Sequence, residues 1–220
     1  MEEVLRTSST IVGYGALLSP ESSRLTFPGL KNFRLVRIQG WRRVFAHPHL
    51  FLMSRGLLDV DTMRLASLSA EPCDGASFVA AAFDVMLDDA QRAAFLLRER
   101  EYSLVRVDCV DLVGGRRTTG VMCARNTDAA CVGVPRPTGI RSIWDWPPDS
   151  GLLPADVYLR HVLLAAEKAG AEAEQSFLRD TFLADRVTTL AAYLVVKEQR
   201  DAIMRSGAAL PPDLRPRFSG

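Results

Sequence analysis

The sequence predicts an α+β fold, a mostly antiparallel β-barrel or sheet with one short internal helix and a C-terminal helical extension. Before Pro135, a series of short apolar or alternating segments is separated by turn residues, and only one helical segment interrupts it. Such a series favours antiparallel pairing over repeated strand–helix–strand units. From Ala155 onward, apolar residues recur at helical spacing.

The strands before the internal helix differ in how clearly the sequence marks them. Residues 10–14 form a short apolar strand, and residues 33–46 alternate loosely between two faces. Residues 63–68 give a weaker strand pattern, whereas residues 78–87 are typical of a buried strand. Turn residues lie between the last two segments, so the sequence predicts two separate strands there.

The internal helix is predicted between two clear signals. Asp88 or Asp89 is a typical N-cap, and an apolar run ends near Leu97. Two further strands, over residues 102–113 and 117–124, follow the helix and complete the series.

The second half of the chain begins with an irregular segment over residues 135–154, whose tryptophans are typical of a packed loop. Helices follow from Ala155, with Tyr158 on an apolar face and a break at Gly170. The apolar pattern extends to Phe182, and the residues around Leu190 are predicted to form the last helix. We therefore expect a barrel core over residues 8–135, a loop and helical extension packed on it over residues 136–204, and a flexible tail over residues 205–220.

Composition limits the class of partner. The chain has 220 residues, with 27 basic and 26 acidic side chains, and 48% of its residues are hydrophobic. That content favours a packed domain over disorder, and the near-zero net charge disfavours nucleic acid or an anionic membrane as a partner. The N-terminal residues lack an apolar signal segment, and no apolar stretch approaches the ~18 residues of a membrane helix. We expect a cytoplasmic monomer or homodimer.

Metal-ligating residues are few. His47 and His49 would share one face of a strand, because side chains repeat at every second residue. A metal site needs a third ligand, and no cluster of Cys, Asp or Glu stands near them in the sequence. The four cysteines form no C-x-x-C pair. The sequence therefore predicts no metal and no cofactor.

Two segments have the residue types that a reaction needs. After the first strand, Gly13 and Gly15 flank a turn that can present consecutive backbone N–H groups to an anion or a developing oxyanion. At the helix end, Glu99 comes two residues after the end of an apolar run, so we expect its carboxyl group at the edge of the core. Burial disfavours the charged carboxylate and raises its pKa, as a general base near neutral pH requires.

Together, the turn Tyr14-Gly15-Ala16-Leu17 and the helix end Arg98-Glu99-Arg100-Glu101-Tyr102 resemble two motifs of the γ-glutamylcyclotransferase-like family. The turn of that family usually reads Y-G-S-L, and its catalytic glutamate commonly lies in the context R-E-x-x-Y. The resemblance covers residues 11–110, about half of the chain. Ala16 departs from it, because the family usually has a serine at this position.

The resemblance implies a metal-independent, cofactor-free enzyme that converts a γ-glutamyl amide to 5-oxoproline and a free amine or amino acid. It assigns Glu99 as the general acid/base, at the end of the short helix on the catalytic side of the barrel. The one partner it implies is a small γ-glutamyl substrate. A tryptophan usually follows the turn in the glutathione-selective branch, and its absence here disfavours that branch. The substrate-binding residues it implies are Tyr14, Gly15, Ala16, Leu17, Leu18 and Tyr102.

Three alternatives remain open at this point. Glu101 is a second candidate for the base, if its side chain faces the pocket. The departure at Ala16 is compatible with a non-catalytic small-molecule binding module on the same fold, because a fold does not establish an activity. The helices over residues 155–205 also suit an interaction protein that docks a partner.

Overall fold

A computed structural model of the protein describes residues 4–220. Short 3₁₀ turns connect several of its strands and helices. The strands are β1 (Ser8–Gly13), β2 (Lys31–Pro48), β3 (Arg64–Met86), β4 (Ser103–Asp111), β5 (Arg117–Ala124), β6 (Leu153–Pro154) and β7 (Thr181–Phe182). The helices are α1 (Pro20–Thr26), α2 (Leu50–Ser54), α3 (Asp89–Arg98), α4 (Asp156–Ala169), α5 (Ala171–Arg179), α6 (Leu190–Tyr193) and α7 (Lys197–Arg205).

Five strands close into a barrel. Their order is β3-β1-β5-β4-β2, and pairing of β2 with β3 joins the two ends. All these pairs are antiparallel except β1 with β5. The short strands β6 and β7 add in parallel to β3 and β2. The predicted α+β fold, with a mostly antiparallel barrel, is confirmed.

The long hairpin of β2 and β3 corrects one prediction. The strands predicted at 63–68 and 78–87 belong to one strand of 23 residues. The strand continues through its polar middle instead of forming a turn, and the register with β2 shifts there from Gln39 opposite Ser77 to Trp41 opposite Pro72. Gly40, at the shift, has a φ of 76°, which favours glycine. The residues that the sequence predicts to form a turn therefore belong to a bulge within the hairpin.

The internal helix α3 begins where the sequence predicts. The carboxylate of Asp88 accepts a hydrogen bond from the backbone N–H of Gln91, and the Gln91 side chain accepts one from the N–H of Asp88. This reciprocal capping satisfies N–H groups that a helix start leaves without partners. Phe95 is buried in a core that includes Phe27 and Phe83, so the apolar run anchors the last turn of α3.

The helical extension completes the main hydrophobic core of the barrel. Leu159, Val162 and Ala166 on α4 and Phe177 on α5 are fully buried among side chains from the barrel strands. Gly170, with a φ of 105°, ends α4 at the predicted break. Among the described residues, no helix is both long enough and apolar enough to cross a membrane.

The end of the chain differs from the sequence prediction in three places. Phe182 lies in strand β7 rather than in a helix, because it pairs with β2. A further helix, α7, follows α6, so the residues around Leu190 do not form the last helix. The tail that we expected to be flexible is packed instead: Leu210, Leu214 and Phe218 are buried with Leu52 in a small cluster of their own. Their apolar side chains, spaced along a Pro- and Arg-rich segment, are the reason that it packs.

Candidate active site

The turn after β1 forms one wall of the candidate site. Gly13 is packed so closely that an added Cβ would lie 2.3 Å from the Cβ of Leu17. The chain then makes a 3₁₀ turn over Ala16–Leu18, in which the N–H of Leu18 donates to the carbonyl of Gly15 over 2.9 Å. The first N–H groups of such a turn have no partner within it, which leaves those of Ala16 and Leu17 for a ligand.

The end of α3 supplies a carboxylate opposite this turn. Glu99 is the C-cap of α3, and its N–H donates to the carbonyl of Phe95. The Nε of Arg98 donates to Oε1 of Glu99 over 2.6 Å, and Nη1 of Arg98 donates to the hydroxyl of Thr26 over 3.0 Å. Arg98 therefore ties the Glu99 carboxylate to α1. The Glu99 side chain retains 16% of its full exposure, enough to meet a ligand.

A small cavity of about 130 Å³ joins the two segments. Of the predicted site residues, all but Leu18 line it; those that do are Tyr14, Gly15, Ala16, Leu17, Glu99 and Tyr102. Leu18 is the exception, because its side chain is fully buried in the main core and its N–H is bonded within the turn. The structure thus brings the turn and Glu99 together from positions more than 80 residues apart in the chain.

Three tyrosines surround the cavity. Tyr14 donates from its hydroxyl to the carbonyl of Cys123 over 2.7 Å, and Tyr102 donates to the carbonyl of Leu68 over 3.2 Å. A Cβ on Gly15 would lie 3.2 Å from the hydroxyl of Tyr158, so α4 reaches the turn through this tyrosine. Burial raises the pKa of all three hydroxyls, and the charge of Glu99 adds to the effect. They remain neutral at physiological pH and can donate hydrogen bonds.

Tyr158 and Cys123 were missed as site residues from the sequence. Burial raises the pKa of the Cys123 thiol, and the nearby charge of Glu99 adds to the effect, so the thiol stays protonated. The sequence did carry one signal for Tyr158. It was the tyrosine on an otherwise aliphatic helix face, and a hydroxyl buried on such a face needs a partner.

A second, larger cavity of about 950 Å³ adjoins the first. Glu99, Ala16 and Tyr102 line both cavities, so the Glu99 carboxylate lies at their junction. The remaining walls of the larger cavity come from α2, α4, the segment over residues 134–137 and the C-terminal tail. A ligand that fills both cavities would have its central part beside Glu99.

Glu101, the second candidate for the base, lines the larger cavity but not the small one. Burial, together with the negative charge of Glu99, raises the pKa of its carboxyl to about 7. Its backbone carbonyl accepts a hydrogen bond from the indole of Trp144 over 2.9 Å. Trp144, predicted to lie in a packed loop, is fully buried and stacks on His47 with ring centroids 4.2 Å apart.

The two neighbouring histidines do not share a strand face as predicted. Strand β2 ends at Pro48, and His49 instead caps α2, where its Nδ1 accepts from the N–H of Leu52 over 3.4 Å. Burial is the main cause that lowers the pKa of both imidazoles to about 3. Within residues 4–220, no three His, Cys, Asp or Glu side chains are grouped so that they could hold a metal ion.

Two solved structures are similar to this chain over nearly all of its length. One is described as a γ-glutamyl cyclotransferase, with a TM-score of 0.52 over 89% of this chain and 98% of its own. The other is an uncharacterised human protein, with a TM-score of 0.52 over 91% of this chain and 100% of its own. Each is 15% identical to this chain. The chain has the γ-glutamyl cyclotransferase fold.

At this level of identity the likeness concerns the fold alone. No family model matches the sequence, and no curated protein sequence matches it either. A fold does not establish an activity, so any activity must be inferred from the residues that line the two cavities.

Proposed function

We propose that this protein is a γ-glutamyl cyclotransferase, which cyclises a γ-glutamyl amide to 5-oxoproline and releases an amine or amino acid. One observation carries the proposal. Glu99 and two residues of the 3₁₀ turn, Ala16 and Leu17, line the same small cavity, on the fold of a solved γ-glutamyl cyclotransferase. A general acid/base and a set of amide donors are the two functions that this reaction requires.

In this proposal the substrate's own α-amine is the nucleophile. Its nitrogen attacks the γ-carbonyl carbon, a new C–N bond closes the five-membered ring, and the original amide C–N bond breaks. Glu99 accepts the proton that the attacking amine loses and transfers it to the leaving nitrogen, so that protons balance over the cycle. Because nucleophile and electrophile belong to one molecule, the reaction needs no covalent enzyme intermediate, metal or cofactor.

The small cavity suits the glutamyl part of such a substrate. The N–H groups of Ala16 and Leu17 would bind its α-carboxylate or stabilise the oxyanion of the tetrahedral intermediate. The replacement of serine by Ala16 removes a hydroxyl but leaves both amides in place. The neutral hydroxyl of Tyr158, close to Gly15, is a further donor at the same wall. The larger cavity would then hold the leaving group.

A 5-oxoproline release assay over a panel of γ-glutamyl amino acids, peptides and amines tests this proposal. We expect turnover of at least one class, and we expect Glu99→Gln to reduce it by about 100-fold or more, since general acid–base catalysis contributes that much. Binding of a γ-glutamyl compound without any release of 5-oxoproline would instead favour the non-catalytic binding module.

Glu101→Gln is the matched control, since it makes the same change two residues away. Glu101 lines the larger cavity but not the small one, so we expect this variant to keep activity within about tenfold of wild type. Loss of activity in Glu101→Gln alone would exchange the roles of the two carboxylates. Circular dichroism and thermal melting of both variants separate loss of catalysis from loss of folding.

A further inference from the structure

The larger cavity contains more positive than negative charge. Four arginines and two glutamates are among its lining residues, together with one aspartate. Arg98 is paired with Glu99, and Asp213 is paired with Arg55 outside the cavity. The guanidinium groups left on the wall are those of Arg100, Arg136 and Arg217, opposed by the carboxyl group of Glu101.

Arg217 is exposed, but it differs from the other two because its guanidinium is packed on an aromatic ring. Its guanidinium lies over the ring of Phe51, 4.3 Å from the centroid. Arg136 lies within 3.9 Å of the Asp128 carboxylate, whereas Arg217 forms no ion pair with any carboxylate of residues 4–220. A guanidinium on a cavity wall that has no counter-ion is available to an anionic ligand, with which it forms charge-assisted hydrogen bonds.

Arg217 lines the larger cavity together with Glu99, His49 and His161. Burial and the charge of Arg98 lower its pKa, while the charge of Glu99 opposes this shift. The charge of Arg217 also contributes to the lowered pKa values of His49 and His161, which line the same cavity. Arg217 lines the same cavity as Glu99, although the two residues are far apart in the chain.

The element that carries Arg217 is firmly attached to α4. Arg217 belongs to the 3₁₀ turn Pro216–Phe218. The carbonyl of Phe218 accepts a hydrogen bond from Nη1 of Arg160 over 3.1 Å, and its buried ring packs edge-on against His161, with centroids 5.3 Å apart. A guanidinium that is positioned in advance loses little entropy when an anion binds.

We propose that Arg217 is a specificity-determining residue, which binds a carboxylate on the leaving group of the substrate. This inference rests on the proposed function, because it takes the small cavity as the site of the glutamyl part. The planar fork of a guanidinium suits the two oxygens of a carboxylate, and a neutral leaving amine would leave Arg217 without a counter-ion. The protein would then prefer γ-glutamyl amino acids or peptides to γ-glutamyl amines.

A matched pair of substrates tests the inference. γ-Glutamyl-alanine and γ-glutamyl-alaninamide have nearly the same shape and differ in one negative charge. We expect kcat/KM of the wild-type protein to be about 10- to 100-fold higher for the acid, the range that one charge-assisted hydrogen-bonded contact supports. We expect Arg217→Gln to reduce this ratio to about threefold or less, mainly through KM for the acid.

Three controls make the result specific. Arg200→Gln makes the same change at an exposed position of α7 outside the cavity, and it should keep the wild-type ratio. Arg217→Lys keeps the charge without the fork and should restore part of the ratio. Thermal melting of each variant shows whether it is folded. If Arg217→Gln does not fold, the substrate ratio of Arg217→Lys is used for the test instead.

Binding of both compounds to the wild-type protein, measured by calorimetry, separates the two proposals. Equal affinity and equal turnover of the acid and the amide would overturn the role of Arg217. An unchanged ratio in Arg217→Gln would overturn it as well. Tighter binding of the acid that Arg217→Gln abolishes, without release of 5-oxoproline, would support the anion site and contradict the proposed reaction.

Discussion

Glu99 and Glu101 lie two positions apart, yet their carboxyl groups meet different surroundings. Glu99 is paired with Arg98 at the junction of the two cavities, whereas Glu101 is largely buried at the side of the larger one. Glu99 lines the same small cavity as Ala16 and Leu17, whose amides are proposed to hold the substrate. Glu101 has a carboxyl group that titrates near pH 7, which by itself also suits a base. This position favours Glu99 as the proposed base, because a base must reach the proton it removes.

The raised pKa of Glu101 predicts a pH-dependent cost to stability. Its carboxyl is favoured in the protonated form when folded, so the folded state loses stability as pH rises from the unfolded value, near 4.5, to about 7. We expect Glu101→Gln to be as stable as wild type at pH 4 and more stable by roughly 2–3 kcal/mol at pH 8. Urea denaturation at both pH values measures the difference. A gain independent of pH would contradict this explanation.

Gly13, before the turn, has no room for a larger side chain. A Cβ there would lie 2.3 Å from that of Leu17, so Gly13→Ala must displace the turn that lines the small cavity. We expect a loss of about 1–3 kcal/mol in the free energy of unfolding and a weaker affinity for γ-glutamyl compounds. Gly29→Ala is the control, because an added Cβ at Gly29 meets nothing within 4 Å. Equal stability and affinity in the two variants would show that the close contact is unimportant.

At the scale of elements, Arg43 joins the barrel to the extension. It lies on β2, is fully buried, and its guanidinium lies between the rings of Phe78 and Phe177, 4.8 and 4.7 Å from their centroids. It donates to the carbonyl of Val79 on β3 and to that of Ser176 on α5. Burial lowers its pKa to about 9, so it remains charged at neutral pH. Arg43 thus connects β2, β3 and α5 through buried hydrogen bonds and aromatic contacts.

Replacing Arg43 by methionine should weaken this junction strongly. The variant keeps most of the side-chain volume but removes the buried hydrogen bonds to Val79 and Ser176, and we expect a loss of about 2–4 kcal/mol. Arg37→Met is the matched control, since Arg37 is also on β2 and pairs with Glu172 on α5, where both side chains are well exposed. Its cost should stay below about 1 kcal/mol. Chemical denaturation of both variants checks the contrast, and similar costs would contradict the role given to Arg43.

The elements also show what the sequence could and could not predict. Helix α3 was predictable because its cap and its apolar run are local features. The continuity of β3 was not, because Pro72 and Gly75 read as a turn unless the partner strand β2 and its bulge are known. Leu18 was assigned to the site because its neighbours were. In the structure its N–H is hydrogen-bonded within the turn and its side chain is buried in the main core. Arg217 was not predicted as a site residue, because the Pro- and Arg-rich tail that contains it was expected to be flexible.

At the scale of the whole molecule, the three histidines lie where separate parts of the chain meet. His47 stacks on Trp144 of the irregular segment, and His49 packs edge-on against Tyr158 of α4, with centroids 4.6 Å apart. His161 accepts a hydrogen bond from the N–H of Gly220 at the tail over 3.0 Å. Burial lowers the pKa of all three, to about 3 for the first two and about 4 for His161. The barrel, the irregular segment, the extension and the tail are therefore held together by neutral imidazoles.

This arrangement predicts that the whole fold is sensitive to acid. A histidine with a lowered folded pKa contributes its full stability above pH 6.5, its unfolded value, and loses it as pH falls towards the folded value. Near pH 5.5, unfolding takes up about one proton for each of His47, His49 and His161, while Glu101 releases about one. The net uptake of about two protons corresponds to a loss of about 3 kcal/mol for each pH unit.

Urea denaturation at intervals from pH 7 to pH 5 measures this slope. His161→Gln should reduce the slope by about half, since it removes one of the two net protons while its side-chain oxygen can still accept from Gly220. Glu101→Gln should steepen it by a similar amount, because the opposing titration is removed. A stability that does not change between pH 7 and pH 5 would mean that the imidazoles are charged or solvated in the folded protein, and that the contacts between its parts do not depend on their burial.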